Sequence, residues 1–436
     1  MSIAFPLSFH FKYLTLPKKI TAMKARQVCW AVMAIALTAC SGSNKSLGND
    51  THLLESLPIV AQSVEVGGEK MTVCELNLLK DTIDLPLSHW VDDDLVTVKL
   101  DGKDEALVGQ GPVCVSENYI LVGRANNVPC KLFRRDGSFV GKVGNIGQGP
   151  GEYTMIYDMQ IDEQAGHVYL LPWNAKSIFV YDMKGQYLKD IPLNKKYEKM
   201  IVPKGKFKVD AARNRVVVML LPFDYLPVVA WIQDMEGNFI SEVPMNHLKL
   251  KPDFSNEVVS SKATSDALDV FLCTFWELRK DTLYHLSLED GKLHPKFTMN
   301  FGQRKIAIHD YHEFPIHYVG ALTNPVQVGD RTYQTEGEVF FMVEKKSKKG
   351  AFFRIGNDFL DNEPIKYMPF HCSNGYYILN IEPAVLIERL EIGLKNNPDE
   401  ARRKKMEALM KTIDEDDNNY IFIGKLKTEF DNTVEK

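Results

Sequence analysis

A short turn pattern recurs through most of the chain and restricts its fold more than any other feature. It is first seen at Asp136–Phe139, where a charged residue and a glycine are followed two positions later by an aromatic residue. The pattern returns at Lys184–Tyr187, Glu236–Phe239 and Asp290–Leu293, with a degenerate copy at Gly356–Phe359. The last residues of these turns lie 48, 52, 54 and 66 positions apart. Self-similarity at such a period predicts a fold built from one repeated supersecondary unit.

Each repeat contains four predicted strands. The turn joins two strand-like segments, and a second hairpin such as Met159–Leu170 precedes it. The strand before each turn carries an aromatic residue: Phe133, Tyr181, Trp231, Tyr284 and Phe353. Four strands in about fifty residues are typical of a β-propeller blade, whose radial stacking buries both sheet faces. Five turns and one further C-terminal blade predict an all-β, six-bladed β-propeller of four-stranded antiparallel blades.

The C-terminal region predicts a helical insertion in the last blade, at about residues 383–413. Pro383 begins a first helix, and a second helix follows Asn397-Pro398. The second helix has one apolar face: Met406, Leu409, Met410 and Ile413. We expect the helices to pack on the propeller, although the same pattern also fits an element that binds a partner.

A propeller ring has to be closed, because an open ring leaves two exposed sheet edges. The alternating segment Val96–Leu100 is the N-terminal candidate for the closing strand. We expect it to pair beside Tyr420–Leu426 of the last blade. The propeller would then span residues 88–427, with residues 428–436 as a tail.

The N-terminus has the features of a targeting signal. Met23–Arg26 is basic, Val28–Ala36 is a short apolar run, and Leu37–Cys40 has small residues before a cysteine, as in a lipobox. We predict a signal peptide over residues 1–39, with translation starting at Met23 and lipidation at Cys40. An ordinary signal peptide with an incidental cysteine is the alternative. Residues 40–87 are expected to form a lipidated tether and an irregular lead-in.

Charge and cysteine content exclude several classes of protein. The chain has a net charge of −5, and residues 1–39 contain basic but no acidic side chains, so the mature chain would be more acidic. An acidic chain without a basic stripe does not favour nucleic-acid binding. The five cysteines after Cys40 are odd in number and lack CxxC spacing, which indicates neither a zinc site nor a complete disulfide framework.

One family resemblance rests on three sequence features. These are the segment Gly147–Tyr153 (Gly-Gln-Gly-Pro-Gly-Glu-Tyr), the recurring Tyr-Asp-x-x-Gly turns and the ending Asp417–Ile423. Together they resemble the six-bladed β-propeller lipoproteins of Gram-negative bacteria, which are TolB-like or NHL-like and largely uncharacterised in function. The resemblance covers roughly residues 88–427. It implies the propeller fold and a location in the cell envelope. No acidic run follows Cys40, so we expect the lipid anchor to lie in the outer membrane, with the protein facing the periplasm.

The glycine-rich segment has some features of a phosphate-binding loop. It comprises Gly147, Gly149, Pro150, Gly151, Glu152 and Tyr153. It lacks the Gly-Lys-Ser/Thr ending of a P-loop, and a strand rather than a helix is predicted to follow it. We therefore predict a structural crossover between blades, in which Glu152 holds backbone N–H groups. No cofactor is predicted.

The densest group of possible metal ligands is His309, His312 and Glu313. Histidine and carboxylate ligands have to converge from a rigid scaffold, and Phe314-Pro315 ends any helix at this point. We interpret the segment as a loop with chance histidines, and no metal site is predicted, although these three residues are the weak candidates for one.

Two functions remain open after these exclusions. The first is a non-enzymatic binding or scaffolding module, held at the membrane, for a protein, peptide or glycan ligand. The alternative is an envelope hydrolase or lyase whose residues come from separate blades and meet at the propeller axis. Exposed aromatic residues at a wide mouth would favour binding. A deep axial pocket with convergent acidic groups or histidines and perturbed pKa values would favour catalysis.

Overall fold

The computed structural model describes residues 54–429, apart from residues 126, 194, 198–201, 264–265, 276, 330–331 and 366–371. The signal peptide, Cys40 and the last seven residues lie outside the described residues, so those predictions stay untested. The segment before the first blade contains β1 (Ala61–Val66), β2 (Glu69–Glu75), β3 (Thr82–Pro86) and β4 (Val96–Lys99).

Six blades follow in chain order, each with its innermost strand first. The first blade contains β5 (Val113–Val115), β6 (Tyr119–Val122), β7 (Cys130–Arg134) and β8 (Phe139–Val143). The strands β9 (Asn145–Ile146) and β10 (Glu152–Tyr153) form a separate, short parallel pair before the second blade, which contains β11 (Ile156–Asp162), β12 (His167–Pro172), β13 (Ser177–Asp182) and β14 (Tyr187–Pro192). The third blade contains β15 (Lys206–Asp210), β16 (Arg215–Met219), β17 (Val228–Gln233) and β18 (Phe239–Pro244).

The fourth blade contains β19 (Glu257–Val259), β20 (Ala267–Cys273), β21 (Thr282–Ser287) and β22 (Leu293–Asn300). The fifth blade contains β23 (Ile308–Glu313), β24 (His317–Gly329), β25 (Thr332–Glu344) and β26 (Gly350–Gly356). The sixth blade contains β27 (Cys372–Ser373), β28 (Tyr376–Ile381) and β29 (Tyr420–Lys425), together with β4. Strands within each blade pair antiparallel. The predicted six-bladed propeller is confirmed.

The recurring turn is explained by contact between neighbouring blades. Gly185 has φ +82°, and a Cβ atom there would lie 1.9 Å from the carbonyl oxygen of Lys142 in the outer strand of the preceding blade. Gly137 in the first blade has φ +89° and meets Lys99 of the last blade in the same way. The carbonyl of Gly185 also accepts a hydrogen bond of 3.2 Å from the N–H of Gly144. Glycine therefore recurs in the first four copies because each of these turns docks against the preceding blade as well as needing a positive φ. The degenerate copy differs, since Gly356 is the last residue of β26 and has no positive φ.

The ring closes as the sequence predicts. β4 pairs antiparallel with β29, with Val98 opposite Ile421. Both side chains are buried in a cluster shared with the first blade. The outer strand of the last blade thus comes from the N-terminal part of the chain, and this pairing removes the open edges.

The expectation of an irregular lead-in is wrong. β2 pairs parallel with β22, which extends the fourth blade to six strands together with β1. β3 pairs parallel with β26 of the fifth blade. Outer strands expose unpaired backbone groups, and the lead-in covers two such edges.

The helical insertion in the last blade is confirmed. Helices α1 (Pro383–Asn396) and α2 (Glu400–Met410) lie between β28 and β29. Leu386, Leu390 and Met406 are buried in a cluster with Tyr420 of the blade. The Asp399 side chain caps α2 by accepting the N–H of Arg402 at 3.0 Å. The helices pack on the propeller, with the predicted apolar face turned inward.

Candidate binding face and axial site

The propeller has two faces, which its connections distinguish. Because successive strands run antiparallel, the connections between second and third strands lie at the same end as the crossovers between blades. We call this end the crossover face; residues 144–155 and 382–419 belong to it. The turns between first and second and between third and fourth strands, such as residues 183–186, form the opposite face.

The large additions to the propeller lie on the crossover face. Helices α1 and α2 connect the second and third strands of the last blade. The hairpin of β24 and β25 is formed by two strands of 13 residues each, and its pairing continues to Gly329 opposite Thr332. Connections of this kind carry function more often than the scaffold beneath them.

The glycine-rich segment forms the crossover between the first and second blades. The N–H of Gly149 donates to the carboxylate of Glu152 at 3.0 Å, and the N–H of Gly147 donates to the carbonyl of Tyr153 at 3.2 Å. The Tyr153 hydroxyl donates to the carbonyl of Val143 at 2.6 Å. The polar groups of the segment thus bond within the segment and to the first blade. The segment ends in β10, and β11 follows it instead of a helix.

The three weak metal-ligand candidates lie on the innermost strand of the fifth blade, so the interpretation as a loop is wrong. Side chains alternate along a strand, and His309 and His312, three positions apart, therefore face opposite sides of β23. His309 is buried against Phe271, at 5.4 Å between ring centroids. Within the described part of the chain, no three His, Cys, Asp or Glu side chains are grouped as metal ligands.

Glu313 belongs to a separate ionic cluster. Its carboxylate contacts the ring of His285 and lies 2.5 Å from the Nζ atom of Lys345. Burial raises the pKa of Glu313, but the hydrogen bond with His285 and the Lys345 ammonium outweigh this effect and bring the pKa to about 2. Glu313 is therefore an ionised partner of two basic side chains between the fourth and fifth blades.

Four lysines come together at the propeller axis: Lys204, Lys206, Lys208 and Lys262. We call them the axial lysine cluster. Lys206 and Lys208 are two positions apart and therefore lie on the same side of β15, the innermost strand of the third blade. The Nζ atom of Lys262, from the fourth blade, lies 2.9 Å from both Asp158 Oδ1 and the carbonyl oxygen of Met159 in the second blade. The third blade separates these two blades, so Lys262 can reach the second blade only on the axial side.

Burial and mutual repulsion make the cluster electrostatically unusual. Burial lowers the pKa of Lys208 to about 8, and the Lys262 ammonium lowers it further against the effect of Asp269. Burial also lowers the pKa of Lys206. Both residues nevertheless keep part of their surface exposed.

Lys204 and Glu257 form a buried pair beside the cluster. The Lys204 ammonium contacts the Glu257 carboxylate and donates to the carbonyl of Asn256 at 3.1 Å. Burial lowers the pKa of Lys204 and raises that of Glu257. Each member of the pair is therefore less strongly charged than it would be in water.

An aromatic cluster lies on the crossover face next to Lys204. We call it the aromatic rim: Trp173, Phe223, Tyr225 and Phe254. The rings of Trp173 and Phe254 are 5.9 Å apart and those of Phe223 and Phe254 are 5.2 Å apart. Tyr225 is 63% exposed and Phe254 is 40% exposed. Trp173, Tyr225 and Phe254 thus present aromatic surface on the crossover face, and the fully buried Phe223 packs against Tyr225 and Phe254.

Sequence reasoning missed the axial lysine cluster. One signal was present, because Lys206-Phe-Lys208-Val-Asp210 alternates charged and apolar residues in a strand that a propeller places at its centre. The contribution of Lys262 gave no such signal, since it depends on contact with a residue 104 positions away.

Fold and site define a six-bladed β-propeller with an elaborated crossover face and a group of partly buried lysines at its axis. The chain belongs to the family described as domain of unknown function DUF4934, whose model matches residues 73–425. No helix among the described residues is both long and apolar enough to cross a bilayer.

One solved structure supports the fold. A Bacteroides fragilis NCTC 9343 protein thought to be exported matches with a TM-score of 0.53 and 14% identity, over 81% of this chain and 99% of that one. A Bacteroides vulgatus ATCC 8482 member of the DUF4221 family matches over 78% of this chain and 97% of that one, with a TM-score of 0.37 and 12% identity. No curated protein matches the chain.

Proposed function

We propose that this protein is a lipid-anchored propeller of the cell envelope, TolB-like or NHL-like, that binds a protein, peptide or glycan ligand on its crossover face. The sequence resemblance and the lipobox at Cys40 support the anchor, and the similar Bacteroides fragilis protein, thought to be exported, is consistent with an envelope location. The outer membrane, facing the periplasm, is the proposed site.

The observation that carries the binding function is the aromatic rim. Large apolar side chains exposed as a contiguous group mark interaction sites, whereas single exposed ones need no explanation. Tyr225 and Phe254 are exposed within a cluster of touching rings, on the face that also carries the helices and the long hairpin. Aromatic rings contribute large contact areas at low entropic cost, which suits a ligand platform.

The point at which the chain enters the propeller is compatible with such a platform. The N–H of Gly350 donates to the carbonyl of Pro58 at 3.1 Å, and the N–H of Val60 donates to the carbonyl of Lys348 at 2.9 Å. These residues lie beside the turn between β25 and β26, which belongs to the face opposite the crossover face. Attachment through this end leaves the aromatic rim open to ligand.

The test compares two double variants. Tyr225→Ser with Phe254→Ser removes the exposed rings of the rim, whereas Leu188→Ser with Ile240→Ser removes exposed apolar groups from outer strands. Binding would be measured on arrays of envelope glycans and peptides, followed by titration of each hit. We expect the rim variant to lose binding by about tenfold or more and the outer-strand variant to retain it. Equal binding by both variants contradicts the proposal.

A second candidate is the envelope hydrolase or lyase, because perturbed acid and base groups do meet at the axis. Burial raises the pKa of Glu257, which favours a protonated carboxyl able to act as a general acid beside Lys204. If this candidate is right, purified protein turns over an envelope glycan or peptide and Glu257→Gln abolishes the turnover. Turnover that survives Glu257→Gln excludes Glu257 as the acid.

A further inference from the structure

Two lysines of the axial cluster occupy backbone conformations that lysine rarely adopts. Lys204 has φ +48° and Lys262 has φ +52°, in the left-handed region that favours glycine and asparagine. Residues held in this region cluster at functional sites, where the role of the side chain outweighs the energetic cost of the strained backbone conformation. In both cases the side chain reaches inward to the cluster.

Carboxylates lie near the cluster, but they are unevenly distributed among its lysines. Asp158 is in contact with Lys262 and also accepts the N–H of Phe207 at 3.0 Å. Lys206 has no carboxylate within 4.0 Å among the described residues; its Nζ atom is 3.4 Å from the carbonyl oxygen of Tyr157 and 4.9 Å from the centre of the Tyr157 ring. A largely buried ammonium is stabilised when an anion is bound beside it.

We propose that the axial lysine cluster binds the anionic group, a carboxylate or a phosphate, of the ligand that the crossover face takes up. This inference rests on the proposed function and adds the chemical class of the ligand. Lys206 is the first residue of β15 and therefore lies at the end of the strand nearest the crossover face. The anionic group enters there, and the rest of the ligand lies on the aromatic rim.

The rim offers a further donor for the same ligand. The Nε1 atom of Trp173 is buried and has no hydrogen-bond partner in the part of the chain that the structure describes. Buried donors are normally satisfied, so an indole N–H left open beside a cationic site is suited to an oxyanion or a polar group of a bound ligand. Trp173 thereby links the aromatic rim to the recognition of the anionic ligand.

The experiment titrates small anions into the full-length mature protein by calorimetry, at constant ionic strength. The probes are inorganic phosphate and citrate, which distinguish the two anionic groups. Lys206→Met removes one ammonium from the cluster, and Lys189→Met is the matched control on the exposed surface of β14. We expect saturable binding of at least one probe, weakened about tenfold by Lys206→Met and unchanged by Lys189→Met. Absence of saturable binding, or equal loss in both variants, overturns the proposal.

Protonation supplies a second readout. Lys208, which faces Lys262, Asp269, Asp266 and Asp210, has a pKa of about 8. A bound anion stabilises its charged form, so binding at pH 8.5 should take up protons from the buffer, whereas an ordinary surface lysine is already charged at that pH. Binding enthalpies in two buffers of different ionisation enthalpy measure this uptake. Saturable binding without proton uptake places the anion elsewhere and also overturns the proposal.

The same titration remains informative if Lys206→Met does not fold, because proton uptake is measured on the wild-type protein. Failures of the two proposals are also distinguishable. Anion binding without any array hit contradicts the proposed function alone. Array hits that depend on the aromatic rim, without anion binding, contradict this inference alone.

Discussion

Trp90 brings two buried histidines together at the edge of the fifth blade. Its indole N–H donates to Nδ1 of His317 at 3.2 Å, and its ring contacts that of His89 with centroids 5.1 Å apart. Burial lowers the pKa of His89 to about 4, and the nearby Lys427 ammonium lowers it further. Burial also holds the pKa of His317 well below its ordinary value. Both rings are therefore neutral in the folded protein at neutral pH.

The first prediction is a loss of stability in acid. The folded pKa of His89 is depressed, so the unfolded chain binds a proton more readily, and the contribution present above pH 6.5 is lost as the pH falls towards 4. His89 alone should lower the free energy of unfolding by about 2 kcal/mol between pH 8 and pH 5. Urea unfolding of wild type and His89→Gln measures it, and the two proteins should differ less at pH 5. An unchanged difference contradicts the assignment.

The second prediction separates close approach from backbone conformation in the recurring turn. Gly185→Ala introduces a Cβ atom at a positive φ and against the Lys142 carbonyl. This substitution should lower the free energy of unfolding by about 3 kcal/mol. Gly166→Ala is the matched control, since Gly166 has φ +69° but nothing within 4 Å of the added atom. It should cost about 1 kcal/mol. Thermal or urea unfolding measures both losses of unfolding free energy. Equal losses in the two variants would show that the contact between blades does not contribute to stability.

At the scale of elements, β29 has the central role in closure. It pairs with β28 on one side and with β4 on the other, so it joins the two ends of the propeller. The third prediction is that a chain ending at residue 415 yields no cooperatively melting protein, because both pairings are lost together. A chain ending at residue 429 should melt like the full-length protein. Circular dichroism melts compare them, and a cooperative transition in the shorter chain contradicts closure by β29.

Element-level predictions from the sequence succeed where the signal is local or repeated. The turn around Gly137 and the apolar face around Met406 each lie within one short window, and both predict the observed structure. The Gly67-Gly68 turn is also a local signal for a hairpin, and it lies in the segment predicted to be irregular. The parallel partner of β2, by contrast, is 225 residues away, and no local pattern specifies it.

The candidate site was less predictable than the fold. The segment that contains the polar residues His309 and His312 is interpreted as a loop because Phe314-Pro315 excludes a helix there, whereas it forms the strand β23. A propeller tolerates such residues in its innermost strands because those strands line the axis. The position of Lys262 beside the second blade and the grouping of rings at Phe254 are determined by tertiary contacts alone, which no local sequence pattern specifies. Sequence reasoning therefore predicted the scaffold and missed what the scaffold brings together.

At the scale of the whole molecule, the fourth prediction concerns attachment to the membrane. Wild-type protein should partition into the detergent phase, because lipidation at Cys40 adds acyl chains that anchor stably when more than one is present. Cys40→Ser should move the protein to the aqueous phase, with its melting temperature unchanged. Phase separation followed by immunoblotting measures this. Detergent partitioning by Cys40→Ser would contradict the lipid anchor.

The pairing of β4 with β29 has a consequence for the order of biosynthesis. Val96 lies opposite Ile423, so the last blade cannot be completed until nearly the whole chain has been synthesised. Strands β2 and β3 likewise have partners that emerge more than two hundred residues later. In a nascent chain, β2, β3 and β4 thus lack these partners for most of the synthesis, at about 5–20 residues per second, and β2 is paired only with β1. Chaperones that hold such strands apart should therefore determine the yield of this protein, and any modification near the N-terminus can precede closure of the ring.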